Sequence, residues 1–237
     1  TAHAPVYFRR ELTPSAKVRR AVAYVTSHGI YELSLNGARV GEDYLTPGWT
    51  SYHNTLQYQA YDLTASLKKG RNELAAMVAP GWYASGLGWG DPSRRLRYGS
   101  DLALLLQLDI EYTDGRHELV CTGGDWEMSL TGPVTDATIY DGETVDPSAA
   151  FSWTPAGVLP GVFSERIVAS VSEPVRVRTR VKPVRSFVTP RGEKVIDFGQ
   201  NLVGWETLKI KGCKGQVVTG KTSSSPAILS TDSAISR

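Results

Sequence analysis

Cysteine is scarce in this sequence, and its scarcity removes several classes of protein. The 237 residues contain two cysteines, Cys121 and Cys213. Two cysteines so far apart define neither a disulfide scaffold nor a metal knuckle. Both are predicted to be free core or surface thiols, and a single long-range bridge stays open as an alternative. The four histidines are scattered without ligand spacing, so no metal site is assigned to them.

Excess charge and long apolar runs are also missing. The formal net charge of +2 is too small to indicate a nucleic-acid partner or an anionic membrane surface. No stretch approaches the roughly 18–20 apolar residues of a membrane span. The opening residues, TAHAPVYFRR, lack the hydrophobic centre of a signal peptide, although a processed signal would leave no trace. The compartment is therefore left open. Nucleotide-binding and hydrolase motifs such as G-x-S-x-G are absent as well.

Turn residues and short alternating segments are abundant instead. Twenty-three Gly and 13 Pro separate β-branched and aromatic runs, which favours an all-β protein. The clearest element is a hairpin over 31–40, in which Tyr31, Leu33 and Leu35 alternate with polar residues before Asn36-Gly37. Nine or ten short strands are expected before residue 150, at the spacing typical of a jelly-roll β-sandwich.

Several segments also carry a family resemblance. They are YELSLNGARVGEDYLTPGWTSY (31–52), LQYQAYDLT (56–64), GWYASGLGW (81–89), YDGETVD (140–146) and IDFGQNLVGWETLKIKG (196–212). Together they resemble the N-terminal β-sandwich region of bacterial α-L-rhamnosidases, over roughly Pro5 to Gly215. The resemblance implies a jelly-roll β-sandwich followed by an incomplete second β-sandwich. It also implies a bacterial protein, cytoplasmic or secreted, related to enzymes that hydrolyse terminal α-L-rhamnose from glycosides.

The positions of turn-forming proline and glycine residues, together with local composition, divide the chain into three parts. Residues 1–165 are predicted to form the jelly roll, and 166–221 the partial second sandwich. The Ser-rich tail 222–237 has little apolar surface to offset its ordering entropy and is expected to be disordered. Family members would continue into a catalytic α/α barrel, so we expect the end of this chain to be truncated or out of frame.

Intrinsic catalysis is not expected from these residues. A glycosidase needs two carboxyl groups on opposed faces of the sugar, and Asp141 and Glu143 lie too close together on one strand face. The acid and base of the resembled family belong to the barrel, so no catalytic residue is assigned. The expected role is support for that barrel, with carbohydrate binding as an added function. A calcium-dependent rhamnose-binding module and an autonomous glycosidase are the alternatives.

Carbohydrate binding is predicted for the segment 81–99. Sugars stack their apolar faces on aromatic rings and pair their hydroxyls with polar groups. The candidate residues are Trp82, Tyr83, Trp89, Asp91, Arg94 and Arg95. The alternative is that Trp82 and Trp89 plug the open end of the sandwich. The predicted partners are thus a rhamnose-containing carbohydrate and the catalytic barrel, with neither nucleic acid nor membrane.

Calcium is the one candidate cofactor. Some rhamnosidase modules of this type bind rhamnose through calcium, which takes roughly six to eight oxygen ligands. Asp101, Asp141 and Glu143 are the candidate ligands. Alternatively Asp141-Gly142 is only a turn and Glu143 a solvated side chain, or this stretch faces the neighbouring barrel.

Overall fold

The protein is described by a computed structural model that covers residues 3–87, 98–140, 142–207, 209, 211, 219–221 and 227–230. Within these residues the chain is built from strands and one four-residue helix, which confirms the all-β prediction. Two compact units are present, Thr1–Arg176 and Val177–Arg237. No helix among the described residues is long and apolar enough to cross a membrane.

The elements follow one another in short segments. The strands are β1 Val6–Leu12, β2 Val18–His28, β3 Ile30–Leu35, β4 Ala38–Arg39, β5 Thr55–Asp62, β6 Asn72–Ala79, β7 Ala103–Tyr112, β8 His117–Cys121, β9 Glu127–Ser129, β10 Val134–Thr138, β11 Gly142–Val145, β12 Thr154–Pro155, β13 Arg166–Ala169, β14 Arg185–Val188, β15 Lys194–Asp197, β16 Thr219–Lys221 and β17 Ala227–Ser230. The helix α1 spans Gly81–Ala84, between β6 and β7.

The first unit is the predicted jelly-roll sandwich. One sheet has the order β12–β9–β1–β6–β3–β4, the other has the order β13–β5–β2–β7–β8, and β10 and β11 form a separate two-stranded hairpin. Alternation turns one face of each strand inward, so that β7 buries Leu106, Leu108 and Ile110 while Gln107 lies outside. The longest pairing, β2 with β7, runs from Val18 opposite Tyr112 to His28 opposite Ala103.

The predicted Asn-Gly turn lies between β3 and β4. Asn36 and Gly37 both have positive φ, 54° and 76°, as a type I′ hairpin requires. The Asn36 side chain also ties the turn to β6, because its Oδ1 accepts from the Glu73 amide at 3.0 Å and its Nδ2 donates to Asn72 Oδ1 at 3.0 Å. The sequence therefore predicted this hairpin in its turn as well as in its strands.

The second unit is a small sheet with the order β14–β15–β17–β16. β14 is exposed along its whole length, and in β15 Val195 is buried. β17 lies within the segment 222–237, which was expected to be disordered; the residues around it lie outside the described part of the chain.

Three local features complete the description of the chain. β13 pairs in parallel with β5 and belongs to the first unit, which ends at Arg176; the domain boundary after residue 165 stays a prediction. The alternating segment 175–181 makes one isolated bridge, Val175 with Tyr44, and no strand. Cys121 is an exposed free thiol, which agrees with the prediction of a free core or surface thiol.

Candidate functional site

A cleft of about 510 Å³ lies at one edge of the first unit. Its walls come from the β4–β5 connection, from β2 and β5, from α1, and from the chain that follows β13. Its lining residues are Tyr24, Asp43, Tyr44, Leu45, Thr46, Pro47, Gly48, Trp49, Gln57, Tyr58, Gln59, Ala60, Trp82, Ala169, Ser170, Ser172, Glu173, Pro174 and Val175. The size suits one or two sugar units, since small-molecule sites usually measure ~300–1,000 Å³.

Two stacked tryptophans form one side of the cleft. The rings of Trp49 and Trp82 are nearly parallel, 9° apart, with their centroids 5.9 Å from each other. Trp49 is 55% exposed, although it is one of the largest apolar side chains in the unit. Exposed aromatic faces of this kind are where apolar ligand surfaces stack. The pair is therefore the strongest candidate ligand-binding feature of the cleft.

Backbone geometry explains how Trp82 reaches this position. The preceding Gly81 has φ +53°, and a Cβ there would lie 2.4 Å from Ile30 Cγ1. A side chain at position 81 would both strain the backbone and collide with β3. Gly81 thus lets α1 begin directly against the sheet and carry Trp82 to the cleft. Trp49 follows the Thr46-Pro47-Gly48 turn, in which Thr46 bridges to Tyr31 of β3.

The polar groups of the cleft are held by hydrogen bonds. Gln59 is buried, where its Oε1 accepts from the Tyr31 hydroxyl at 2.8 Å and its Nε2 donates to the Pro47 carbonyl at 3.1 Å. Burial, with a smaller effect of Tyr61, raises the pKa of Tyr31 far above its ordinary value, so this hydroxyl stays a donor. Asp43 accepts from Arg176 Nε at 2.7 Å, which joins the β4–β5 connection to the last residue of the unit.

A second cluster of buried side chains includes residues of α1 and consists of Tyr52, Leu56, Tyr83 and Ala84. Tyr83, a predicted carbohydrate-binding residue, is 6% exposed here and stacks on His28 with ring centroids 4.4 Å apart. Burial raises its pKa first, and the Asp101 and Glu165 carboxylates raise it further. The structure thus places Tyr83 behind the cleft wall, and its contact with a ligand stays a prediction.

The predicted calcium ligands are only partly described. Asp101 is exposed ahead of β7, and Glu143 is exposed in β11 opposite Ala137. Across the described ranges no three His, Cys, Asp or Glu side chains gather closely enough to hold a metal ion. Asp141 lies outside the described residues, as do Trp89, Asp91, Arg94 and Arg95. Calcium binding therefore stays a prediction.

Comparison with protein families also divides the chain into two parts. Residues 16–187 match the α-L-rhamnosidase N-terminal domain, and residues 188–224 match the bacterial α-L-rhamnosidase concanavalin-like domain. The chain belongs to the α-L-rhamnosidase family. An α-L-rhamnosidase of Streptomyces avermitilis is 43% identical over 217 residues, and one of Alteromonas sp. is 32% identical over 231 residues. These alignments cover 86% and 92% of this chain but 21% and 25% of the relatives.

Solved rhamnosidase structures share the fold of these modules. The native α-L-rhamnosidase of Aspergillus terreus superposes with a TM-score of 0.81 at 34% identity, over 92% of this chain and 26% of that one. The Streptomyces avermitilis enzyme, solved in complex with L-rhamnose, gives 0.79 at 40% identity, over 92% and 22%. The chain thus spans about a quarter of the length of these relatives.

Reasoning from sequence missed most of the aromatic residues of the cleft. Of the predicted set, Trp82 lines it, whereas Trp49, Tyr24 and Tyr58 were not singled out. Tyr24 and Tyr58 meet edge to face, 5.9 Å apart, on the neighbouring strands β2 and β5. A usable signal was present in β2, where Tyr24 stands between the buried Ala23 and Val25. The pairing of β2 with β5, which brings the two rings together, is not visible in either segment alone.

Proposed function

We propose that this chain forms the non-catalytic N-terminal modules of an α-L-rhamnosidase, and that its first unit binds carbohydrate in the cleft beside Trp49 and Trp82. The observation that carries the proposal is the stacked tryptophan pair, which offers an exposed aromatic face at the rim of a cleft of suitable size. The C–H face of a sugar stacks on such a ring, while nearby polar groups pair with its hydroxyls. L-rhamnose is the first ligand to test, because the Streptomyces avermitilis relative was solved with it.

The carboxylates of the cleft support binding over hydrolysis. Glycoside hydrolysis requires one carboxylic acid to protonate the leaving oxygen and a second carboxylate on the opposite face. Two carboxylates line the cleft, Asp43 and Glu173, and Asp43 is engaged by Arg176 at 2.7 Å. Gln57 and Ser172 add neutral polar groups at the same surface. An acid–base pair would need both carboxylates, and the engagement of Asp43 by Arg176 leaves this set better suited to recognising hydroxyls.

The second unit is proposed to support the catalytic part of the enzyme by packing against it. Its exposed apolar side chains include Val188, Leu202, Val203 and Trp205. Apolar groups exposed at this density are typical of surfaces that pack against further protein. In the relatives, most of the chain lies beyond the region matched here, and we assign catalysis to that remainder.

Calorimetric titration with L-rhamnose tests the binding proposal. Trp49→Ala and Trp82→Ala are expected to weaken binding roughly three- to tenfold each, the value of a lost aromatic contact. Trp205→Ala is the matched control, since it removes an exposed tryptophan from the other unit. Titrations with calcium and with a chelator test the calcium ligands in the same experiment. A flat titration under both conditions, or equal weakening by the control, contradicts the proposal.

The hydrolytic alternative has its own readout. The wild-type chain is expected to release no nitrophenol from an aryl α-L-rhamnoside. Turnover that disappears in Glu143→Gln would instead establish an autonomous glycosidase and overturn the non-catalytic assignment.

A further inference from the structure

A buried histidine–glutamate pair lies behind the cleft. His28 Nε2 is 2.8 Å from Glu165 Oε1, and the two side chains are 2% and 9% exposed. The remaining polar atoms, His28 Nδ1 and Glu165 Oε2, are buried and have no hydrogen-bond partner among the described residues. Replacing such a buried pair by apolar side chains of the same volume often leaves a protein equally stable or more stable. A pair this costly to bury calls for a role beyond filling space.

Glu165 belongs to a segment that depends on polar contacts for its position. We call residues 163–176 the strap; it contains β13, a four-residue edge strand that is largely exposed and pairs with β5. Two backbone hydrogen bonds hold it against the chain around β5. The Arg166 amide donates to the Asn54 carbonyl at 3.1 Å, and the Ser170 amide donates to the Tyr58 carbonyl at 3.0 Å. Its last residues are held by the Tyr44 amide, which donates to Val175 O at 2.8 Å. Because the strap buries little apolar surface, these contacts, the Arg176–Asp43 ion pair and Glu165 fix its place.

The strap is also one wall of the cleft, since its residues 169–170 and 172–175 line it. The side of the cleft that carries Trp82 also contacts His28, through Tyr83. The His28 ring stacks on Tyr83 of α1, with centroids 4.4 Å apart and planes 18° apart, and Tyr83 directly follows Trp82. His28 therefore contacts both the helix that carries Trp82 and the glutamate that precedes β13.

We propose that His28 and Glu165 are a positioning pair that sets the distance between the two walls of the carbohydrate cleft. Stacking on Tyr83 and packing against Phe163, 4.6 Å away, fix the plane of the His28 ring, so its Nε2 points in one direction. The bond to Glu165 then places the start of β13 relative to α1. An apolar pair would fill the same volume without this direction. The inference rests on the proposed function for its ligand, but its structural part does not.

Hydrogen exchange measured without ligand tests the structural part. The double variant His28→Phe/Glu165→Leu keeps volume and ring stacking but lacks the hydrogen bond. We expect its strap amides, Arg166 and Ser170, to exchange roughly tenfold faster while β7 amides keep wild-type rates. The separate variant Glu165→Gln retains a hydrogen bond to His28, and its strap amides are expected to exchange as slowly as in the wild type. Glu111→Gln, which removes an exposed ion pair with Arg19 from the same sheet, is the matched control.

Titration of the same variants with L-rhamnose tests the effect on the cleft. The double variant is expected to bind roughly fivefold or more weakly, although its urea midpoint is unchanged, and Glu165→Gln to bind like wild type. Wild-type strap exchange in the double variant overturns the proposal. If the double variant does not fold, Glu165→Ala decides: faster exchange confined to the strap supports the pair's role, and equal change in strap and β7, or none, overturns it. Absence of rhamnose binding by the wild type would refute the proposed function alone.

Discussion

The two units differ in what their strands bury. In the first unit, two sheets enclose side chains such as Leu108 and Trp126, which are almost inaccessible to solvent. In the second unit, Val195 is buried among the described residues, while Val188, Leu202 and Trp205 are exposed. Both units carry segments with strand-like alternation. A strand pattern therefore becomes a core only where a second sheet covers its apolar face.

The largest expected effect follows from this difference in burial. Leu108→Ala removes a fully buried side chain from β7 and is expected to lower the free energy of unfolding by about 2–5 kcal/mol. Leu202→Ala, at a leucine that is 46% exposed in the second unit, is expected to change it by less than about 0.5 kcal/mol. Urea unfolding followed by circular dichroism measures both. Equal losses would show that the second unit has a core of its own.

Raising the pH is expected to lower the stability of the first unit more than that of the second. This effect is expected to be smaller than that of Leu108→Ala. Burial raises the pKa of Tyr31, Tyr52 and Tyr61 in the first unit, and residues 177–237 contain no tyrosine. A raised folded-state pKa stabilises the protein fully below the unfolded value of about 10, and this contribution is lost as pH rises above it.

The measurement is a tyrosinate absorbance titration combined with unfolding at pH 8 and pH 11. The first unit is expected to lose stability over that interval, and Tyr31→Phe to show a shallower loss. This variant also leaves Gln59 Oε1 without its donor, so it should be about 1–3 kcal/mol less stable at pH 8. Normal titration of every tyrosine below pH 10.5 would contradict the burial that defines the first unit.

The sequence predicted the first unit well because its signals are local. The alternation of Tyr31, Leu33 and Leu35 and the Asn36-Gly37 turn specify a hairpin without reference to the rest of the chain. The segment 175–181 has equally regular alternation, yet it makes a single bridge at Val175. Alternation indicates which face is apolar, but a ladder also needs a neighbouring strand with free backbone groups.

The cleft was less predictable than the fold because it is assembled from distant segments. Trp82 was identified as a candidate from its own glycine-rich surroundings, whereas its stacking partner Trp49 lies 33 residues earlier in a different connection. Glu165 lies 137 residues from His28, and neither position stands out in the sequence. Pairings of this kind depend on how β13 adds to β5, which no local pattern specifies.

The smallest expected effect concerns surface charge, where the contrast between the units should disappear. Asp197 in the second unit accepts from the Gly199 amide and Arg185, and Asp114 in the first accepts from Arg116; these contacts lower both pKa values. A lowered folded-state pKa stabilises the protein above the unfolded value of about 4 and loses that contribution as pH falls. Asp197→Asn and Asp114→Asn should therefore lower the urea midpoint slightly and similarly at pH 7, and not at pH 2.5. A much larger effect of Asp197→Asn would mean that surface electrostatics, and not burial alone, distinguishes the second unit from the first.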